Sequence, residues 1–553
     1  MTGPLLTDEP VQAFHSQSLR QTWICWAAIL LVVGIAFSPV CRNLFTNLDE
    51  PVLILNNPWV QELSWENLAA MFGSSLHYTY SPVAFLAFAM EKRAFGFNPE
   101  AFHAVTLFFH LASTLLVGLW IKDLTGDEKL GAGTALLFGL HPLQVESVAW
   151  VTGQRTVLFG FFFMAALFAF GRFEATRSRT WFAASFVALL LSLLTKGVAF
   201  VFPLVLILQR WYSTPSLSLK AGALVAGEPP AETLTAGSTA GRSQATRSQA
   251  IGSQAIGSQA IGSEATRSQA NGWDLLPFAI LSIGFLVVSW LAAVAQMQEV
   301  PFLERILVAA HGILRYLRQT VFPFDLAFAY PYPEGDWMAF PWAFKAAPAM
   351  LLTFGWIIIS RRDLWRSVAF GLGFFVLNIL PVSQLVTVGM KITSSDHFMF
   401  VAIAGLAFAL TVAFSGFPLL VSWKRARQLS LLLFLAFSAI LGAVSFGQCK
   451  IWRDSKTLYS HALAIFPETR FPRHQLGVTF LEEESWKEAA EQFTLLLKRK
   501  PGDRDARMGR AAALIGAHSW REAGMDLDEL LREEPTNSTA KELRDLVSKL
   551  GGD

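Results

Sequence analysis

The chain has 553 residues, of which 53% are apolar and 16% charged, against about 25% charged in an ordinary soluble protein. Forty-four lysines and arginines face 42 acidic residues, a net charge of +2; this excludes a highly charged disordered chain and gives no basic signal for nucleic acid. Three cysteines exclude a disulfide scaffold, and no CxxC pair or Cys/His cluster points to zinc. The charge is unevenly spread: residues 450–553 carry 17 basic and 18 acidic side chains, leaving 51 for the first 449 residues. That contrast predicts an apolar membrane body followed by a polar, soluble tail.

A bilayer span needs about 20 mostly apolar residues. After a polar cytoplasmic leader (1–22), the first such run is Trp23–Val40, read as an uncleaved anchor, with a signal peptide as the alternative. Further runs fall near 102–120, 130–142, 156–171, 181–194, 197–211, 273–295, 341–359, 367–388, 398–421 and 428–448, about 11 spans in all. They divide a membrane core over 23–212 from its continuation over 273–449. With the N-terminus inside, the positive-inside rule places Arg172, Arg177 and Arg179, then Arg361, Arg362 and Arg366, then Lys424, Arg425 and Arg427 in the cytoplasm. An odd number of spans then puts the tail outside. Two outer loops are long, 42–100 and 297–340, and their Trp, Tyr, Phe and Pro content places them on the bilayer surface. Residues 213–272 are different. Their stretch 241–272 repeats every five residues in Ser, Gln, Ala and Gly; with little to bury, the segment reads as a disordered cytoplasmic linker.

The tail, 450–553, has an internal period. Trp452, Trp486 and Trp520 are 34 residues apart, and so are Pro467, Pro501 and Pro535. Ala489 and Ala523 keep the spacing, as do Phe493 and Leu527. This is the tetratricopeptide signature, in which small residues let paired helices approach and Pro closes each repeat. Two repeats and a preceding half repeat predict a short α-solenoid whose surface binds a polypeptide or protein partner. The fold class expected is therefore all-α, a polytopic membrane helical bundle followed by tetratricopeptide repeats.

The outer segments hold the polar candidates. Asp49 and Glu50 lie just beyond the first span and fit either a general base with a positioning group or two solvated loop charges. Tyr80 precedes Ser81-Pro82 in the same loop. His141, Glu146 and Arg155 sit in a segment between two spans, where a polar cavity or a water-facing loop would account for them. Lys196 stands between two apolar runs and suits a phosphate as a point charge, or snorkels to the interface. Arg315 and Arg318 are three apart on an expected amphipathic surface helix. Lys391, Asp396 and His397 precede another span; Asp396 beside His397 reads as an ion pair or a donor-site group. Cys41 and Cys449 both fall at outer helix ends, where a disulfide is conceivable and free buried thiols are the favoured reading.

The order of motifs is an acidic pair, Tyr-x-Pro, Phe-His, His-Pro-x-x-x-Glu-x-Val-Ala-Trp, Gly-x-Arg, Leu-x-Lys, Leu-Arg-Tyr-Leu with Phe-Pro, Asp-His-Phe-Met-Phe, Trp-Arg-Asp-Ser, then the repeats. This set resembles the transmembrane and tetratricopeptide-repeat O-mannosyltransferases of the C-type glycosyltransferase superfamily, from about Trp23 to Leu550 apart from the 213–272 insert. The resemblance implies an enzyme that moves a sugar from a polyprenyl-phosphate carrier to an acceptor on the outer or luminal side. It puts the catalytic acid at Asp49, with Glu50 where the family often has a second Asp, and the Gly-x-Arg position at Arg155. The family's Lys-Glu pair is Lys196-Gly197 here. Its Glu-Arg-Tyr-Leu-Tyr segment is Asp396-His397-Phe398-Met399-Phe400, so a permanent cation becomes a titratable histidine. Its Tyr-Arg-Pro is Tyr80-Ser81-Pro82.

A polyprenyl phosphate is a good leaving group, so the chemistry needs a base for the acceptor hydroxyl and cations for the phosphate charge that develops. Asp49 is the expected base; Arg155, Lys196 and His397 are the expected phosphate groups, with Arg315 and Lys391 behind them. One displacement inverts the anomeric centre. No cofactor or metal is expected beyond the lipid-linked sugar. The acceptor expected is Ser or Thr of a protein, delivered by the repeats; the alternatives are a lipid or glycan acceptor, or a non-enzymatic membrane scaffold. The expected place is a bacterial inner membrane with periplasmic repeats, or an endoplasmic-reticulum membrane with luminal ones.

Overall fold

A computed structural model describes residues 9–76, 80–214, 272–293, 300–328, 330–360, 365–385, 392–420 and 425–550. Each of the eleven apolar runs holds a helix among the described residues. The first is α1 (Glu9–Phe37); the first outer loop folds into α2 (Pro58–Gln61), α3 (Trp65–Gly73) and α4 (Pro82–Phe95). Then come α5 (Pro99–Thr125), α6 (Glu128–Leu140), the short α7 (Val145–Ala149), α8 (Gln154–Thr176), α9 (Arg179–Thr195) and α10 (Phe202–Ser213). Beyond the linker follow α11 (Leu276–Ala293), α12 (Phe302–Val321), α13 (Trp342–Ser360), α14 (Trp365–Ile379), α15 (Met399–Leu420) and α16 (Ala426–Ile451). The five-residue repeats fall within 215–271 and so outside the described residues, as does Lys391.

Among the described residues, seven helices are long and apolar enough to cross a membrane: α1, α5, α8, α11, α13, α15 and α16. The remaining apolar helices, α6, α9, α10 and α14, are shorter. Local chemistry sets the short ones. Asp127 caps α6, accepting from the backbone N–H of Lys129 at 2.7 Å, and Pro142 follows its end. Lys196-Gly197 and Pro203 separate α9 from α10 through a 3-10 turn. Together these helices make an integral multi-pass membrane protein.

Loops 42–100 and 297–340 are largely helical among the described residues. Loop 42–100 has its own small core of Leu53, Ile54, Val60, Met71, Phe85 and Phe88, closed by Phe102 and Val151 of the bundle. In the second, α12 packs against a two-stranded antiparallel sheet of β1 (Tyr330–Pro331) and β2 (Ile392–Ser394).

The tail continues as α17 (Ser455–Ile465), α18 (Arg470–Glu482), α19 (Trp486–Arg499), α20 (Arg504–Gly516), α21 (Trp520–Glu533) and α22 (Ser538–Leu550), each against the next. One 34-residue period is one pair of helices: Trp486 opens α19 and Trp520 opens α21. A Cβ on Gly477 or Gly509 would stand 2.7 Å or 2.4 Å from the Phe493 ring, so both glycines make room for it. The tail is no loose appendage. Trp452 stacks on Trp150 at 6.1 Å, Tyr459 meets Phe328 at 5.9 Å, and Leu44 donates its backbone N–H to Arg453 O at 2.8 Å. Its first helices share the core of the membrane bundle.

Candidate active site

Five separate segments bring polar groups to one end of the bundle. The turn after α1 carries Asp49 and Glu50; α7 carries Glu146; the start of α8 carries Arg155; the break between α9 and α10 carries Lys196; and the approach to α15 carries His397.

Asp49 is half-buried and Glu50 fully buried. Glu50 Oε2 accepts from Thr46 Oγ1 at 2.9 Å and Trp150 Nε1 at 3.3 Å. Burial pushes its carboxyl up to about 7, against these two donors, and the neighbouring Asp49 charge adds to the rise. Arg155 lies near enough to Asp49 and Glu50 for its charge to interact with both. It donates from Nε to Thr152 O at 3.3 Å. Lys196 donates to Thr156 Oγ1 at 3.1 Å, one residue along α8 from Arg155, and lies 5.8 Å from the Phe398 ring centroid. Its charge reaches Arg155 and Glu146.

Glu146 is buried and is the hub of the other wall. Its Oε1 lies 2.7 Å from His397 Nδ1 and accepts from Ser395 Oγ at 2.6 Å; its Oε2 accepts from the His397 backbone N–H at 3.1 Å. Burial pushes this carboxyl up to about 8, opposed by those donors and by the Lys196 charge. His397 also feels the charges of Arg155 and Asp49. Asp49, Glu50, Glu146, Arg155, Lys196 and His397 thus form one electrostatic cluster of three acids, an arginine, a lysine and a histidine.

The other expected residues go elsewhere. Asp396 does not pair with His397. Its side chain accepts from the Tyr330 hydroxyl at 2.9 Å, while its charge reaches Glu146. Arg315 joins that second layer, its guanidinium 4.2 Å from the Tyr330 ring centroid and its charge reaching Asp396. His141 is committed to the backbone, Nδ1 accepting from Leu143 N at 3.2 Å and Nε2 facing Thr320 O at 3.0 Å. It ties α6 to α12 and has no ring nitrogen left for a donor. Tyr80 donates to Phe72 O at 3.1 Å, within its own loop. Cys41 and Cys449 are free thiols. Among the described residues no group of three or more His, Cys, Asp or Glu is placed to hold a metal.

Sequence reasoning missed Trp150, Thr156 and Ser395. Ser395 meets Glu146 across 249 residues; a hydroxyl carries no spacing signal that would single it out before folding.

No family model matches the chain. It is 32% identical over 146 residues to "Protein O-mannosyl-transferase TMTC2" of Mus musculus, covering 25% of this chain and 17% of that one. It is 22% identical over 458 residues to the mouse TMTC4 protein of the same description, covering 74% of this chain and 56% of the other. Over these stretches it is similar to proteins described as TMTC protein O-mannosyl-transferases. The chain thus spans about a sixth of TMTC2 and just over half of TMTC4 in these matches. Among solved structures, an Archaeoglobus fulgidus oligosaccharyltransferase tethered to an acceptor peptide superposes with a TM-score of 0.38 at 13% identity, covering 76% of this chain and 55% of that one. ArnT from Cupriavidus metallidurans, bound to undecaprenyl phosphate, superposes with a TM-score of 0.36 at 14% identity, covering 90% and 77%. The TMTC resemblance agrees with the one carried by the motifs from Asp49 to the repeats.

Proposed function

We propose that this chain is a membrane glycosyltransferase that moves a sugar, mannose by analogy with the TMTC relatives, from a polyprenyl phosphate to a Ser or Thr hydroxyl of a polypeptide outside the cytoplasm. The observation that carries this reading is the meeting of Asp49 with Arg155, Lys196 and His397, brought from four segments to one outer-end cluster. Asp49 takes the proton of the acceptor hydroxyl as its oxygen attacks the anomeric carbon. The bond from that carbon to the phosphate oxygen breaks, and the departing lipid phosphate keeps the electron pair. Arg155 and Lys196 stabilise the charge that grows there. A single displacement of this kind inverts the anomeric centre. Glu50, buried and bonded to Thr46 and Trp150, holds the turn that presents Asp49.

Purified, reconstituted protein supplied with a polyprenyl-phosphate sugar and a Ser/Thr-rich peptide tests this. Asp49→Asn is expected to lower transfer by about 10²-fold or more while donor binding persists. An Asp49→Asn protein that transfers at the parental rate removes the base. Deleting the gene and finding every O-linked hexose of exported proteins unchanged by mass spectrometry removes the protein acceptor.

A further inference from the structure

The segment that carries Asp49 has no regular structure of its own. Residues 43–49 lie between the 3-10 turn Ser38–Arg42 and the single helical turn Pro51–Leu55. A backbone outside helix and sheet needs partners from elsewhere for its polar groups. Here the tail supplies them. Leu44 N–H donates to Arg453 O at 2.8 Å and Asn47 N–H to Ser455 Oγ at 2.9 Å, while Asn47 O accepts from Gln475 Nε2 at 3.1 Å. Asn47 Nδ2 adds bonds to Thr479 Oγ1 at 3.1 Å and Glu482 Oε2 at 3.4 Å. One asparagine is thus gripped by α17 and α18, from 408 to 435 residues further along the chain. The membrane bundle grips the same stretch at its other end, where Trp150 Nε1 donates to Glu50 Oε2 at 3.3 Å. Asp49 stands between the two grips, and its backbone O accepts from Val52 N–H and Leu53 N–H at 3.2 and 2.8 Å. The direction of its carboxylate therefore depends on both sides being held.

We propose that Asn47 is a positioning residue, clamped by Ser455 of α17 and by Gln475 and Thr479 of α18, through which the first helices of the tail aim Asp49 at the acceptor hydroxyl. The active site is complete only with these tail helices in place. The inference rests on reading Asp49 as the base. A base displaced by about 1 Å can lose about 10²-fold in rate, so loosening this clamp acts on the chemical step and leaves the donor contacts on α8 and after α9 alone.

The test uses full-length protein in nanodiscs, assayed with a polyprenyl-phosphate mannose and a Ser/Thr-rich peptide, with donor affinity titrated separately in the absence of peptide. Asn47→Ala and Gln475→Ala are each expected to lower kcat by about tenfold or more, with donor affinity and peptide KM within about threefold of the parental values. Arg473→Ala removes bonds from α18 to Gln492 and Pro467 inside the tail and is expected to keep the parental kcat. In the Asp49→Asn background, Gln475→Ala is expected to change the residual rate by less than about twofold, since residues acting through one group are not additive; general support of the fold would add its full effect. The proposal is overturned if Asn47→Ala and Gln475→Ala keep the parental kcat, if donor affinity falls in step with kcat, if Arg473→Ala matches their loss, or if Gln475→Ala costs as much without Asp49 as with it. Asp49→Asn protein that transfers at the parental rate overturns the base and this proposal together. An inactive Asp49→Asn beside fully active Asn47→Ala and Gln475→Ala overturns the proposal and leaves the base standing.

Discussion

Glu50 is fully buried and Asp49 half-buried, although the two share one turn of backbone. The difference comes from Trp150 and Thr46, which draw Glu50 inward and leave Asp49 toward Arg155. Glu50 therefore carries a stability signature. Its carboxyl rises from the usual 4.5 to about 7 in the folded chain, so between those values the folded state holds a proton the unfolded state has lost. Stability is then full below about pH 4.5 and falls as pH rises through about 7, by about 3 kcal/mol from this group. Glu50→Gln is expected to remove that fall, read as thermal unfolding in detergent from acid to neutral pH; a variant with an unchanged slope assigns it to another group. An acidic pair after the first span was legible in the sequence. Which acid is buried was not, because the Trp that decides it is 100 residues away.

At the scale of elements, α14 and α15 cross through a pair of glycines. A Cβ on Gly405 would lie 2.2 Å from Gly371 O, and one on Gly371 would lie 2.4 Å from Gly405 O. A backbone carbonyl cannot swing aside as a side chain does, so Gly405→Ala must push the helices apart. It is expected to cost about 1–3 kcal/mol, read as a lowered unfolding temperature with the helical signal retained; an unchanged temperature shows that the crossing relaxes freely. The tail divides differently from the composition. Charge density changes at about Lys450, yet α17 and α18 pack into the bundle core through Leu458, Tyr459 and Leu476. Gln475 donates to Asn47 O at 3.1 Å and Asn47 donates to Thr479 at 3.1 Å, two residues from Asp49. Truncation after Glu484 is therefore expected to leave transfer to a small soluble acceptor within about threefold and to lower transfer to a polypeptide by about tenfold or more, through lost effective concentration. Truncation after Cys449 is expected to abolish both, because it strips Trp452 and Tyr459 from the site. Equal loss from the two cuts would assign the outer repeats a structural role.

At the scale of the whole molecule, the two ends of the bundle differ in charge chemistry. One end closes with ordinary ion pairs, Arg172 with Asp123, Arg177 with Asp274 and Arg210 with Glu174 at 3.4, 3.0 and 2.7 Å. The other end holds the Asp49–Arg155–Lys196–His397 cluster beneath the tail. The basic end is the expected cytoplasmic one. With native cysteines replaced, a thiol at Thr180 is expected to react from the cytoplasmic side and one at Glu491 from the opposite side, measured with a membrane-impermeant maleimide on intact and opened cells. Labelling of both from one side reverses or breaks the topology.

Hydropathy by itself determined where the apolar helices run, since each must satisfy its own backbone hydrogen bonds in lipid. The 34-residue spacing likewise determined where the tail's helix pairs begin. Only the tertiary structure decided which polar residues come together. His141, Tyr80 and Asp396 stand among equally promising motifs in the sequence, yet their polar atoms are spent on Thr320, Phe72 and Tyr330. Glu146 and His397, 251 residues apart, are the pair that meets. A side chain's partner across such a separation is set by how helices pack, and no local pattern along the chain encodes that packing.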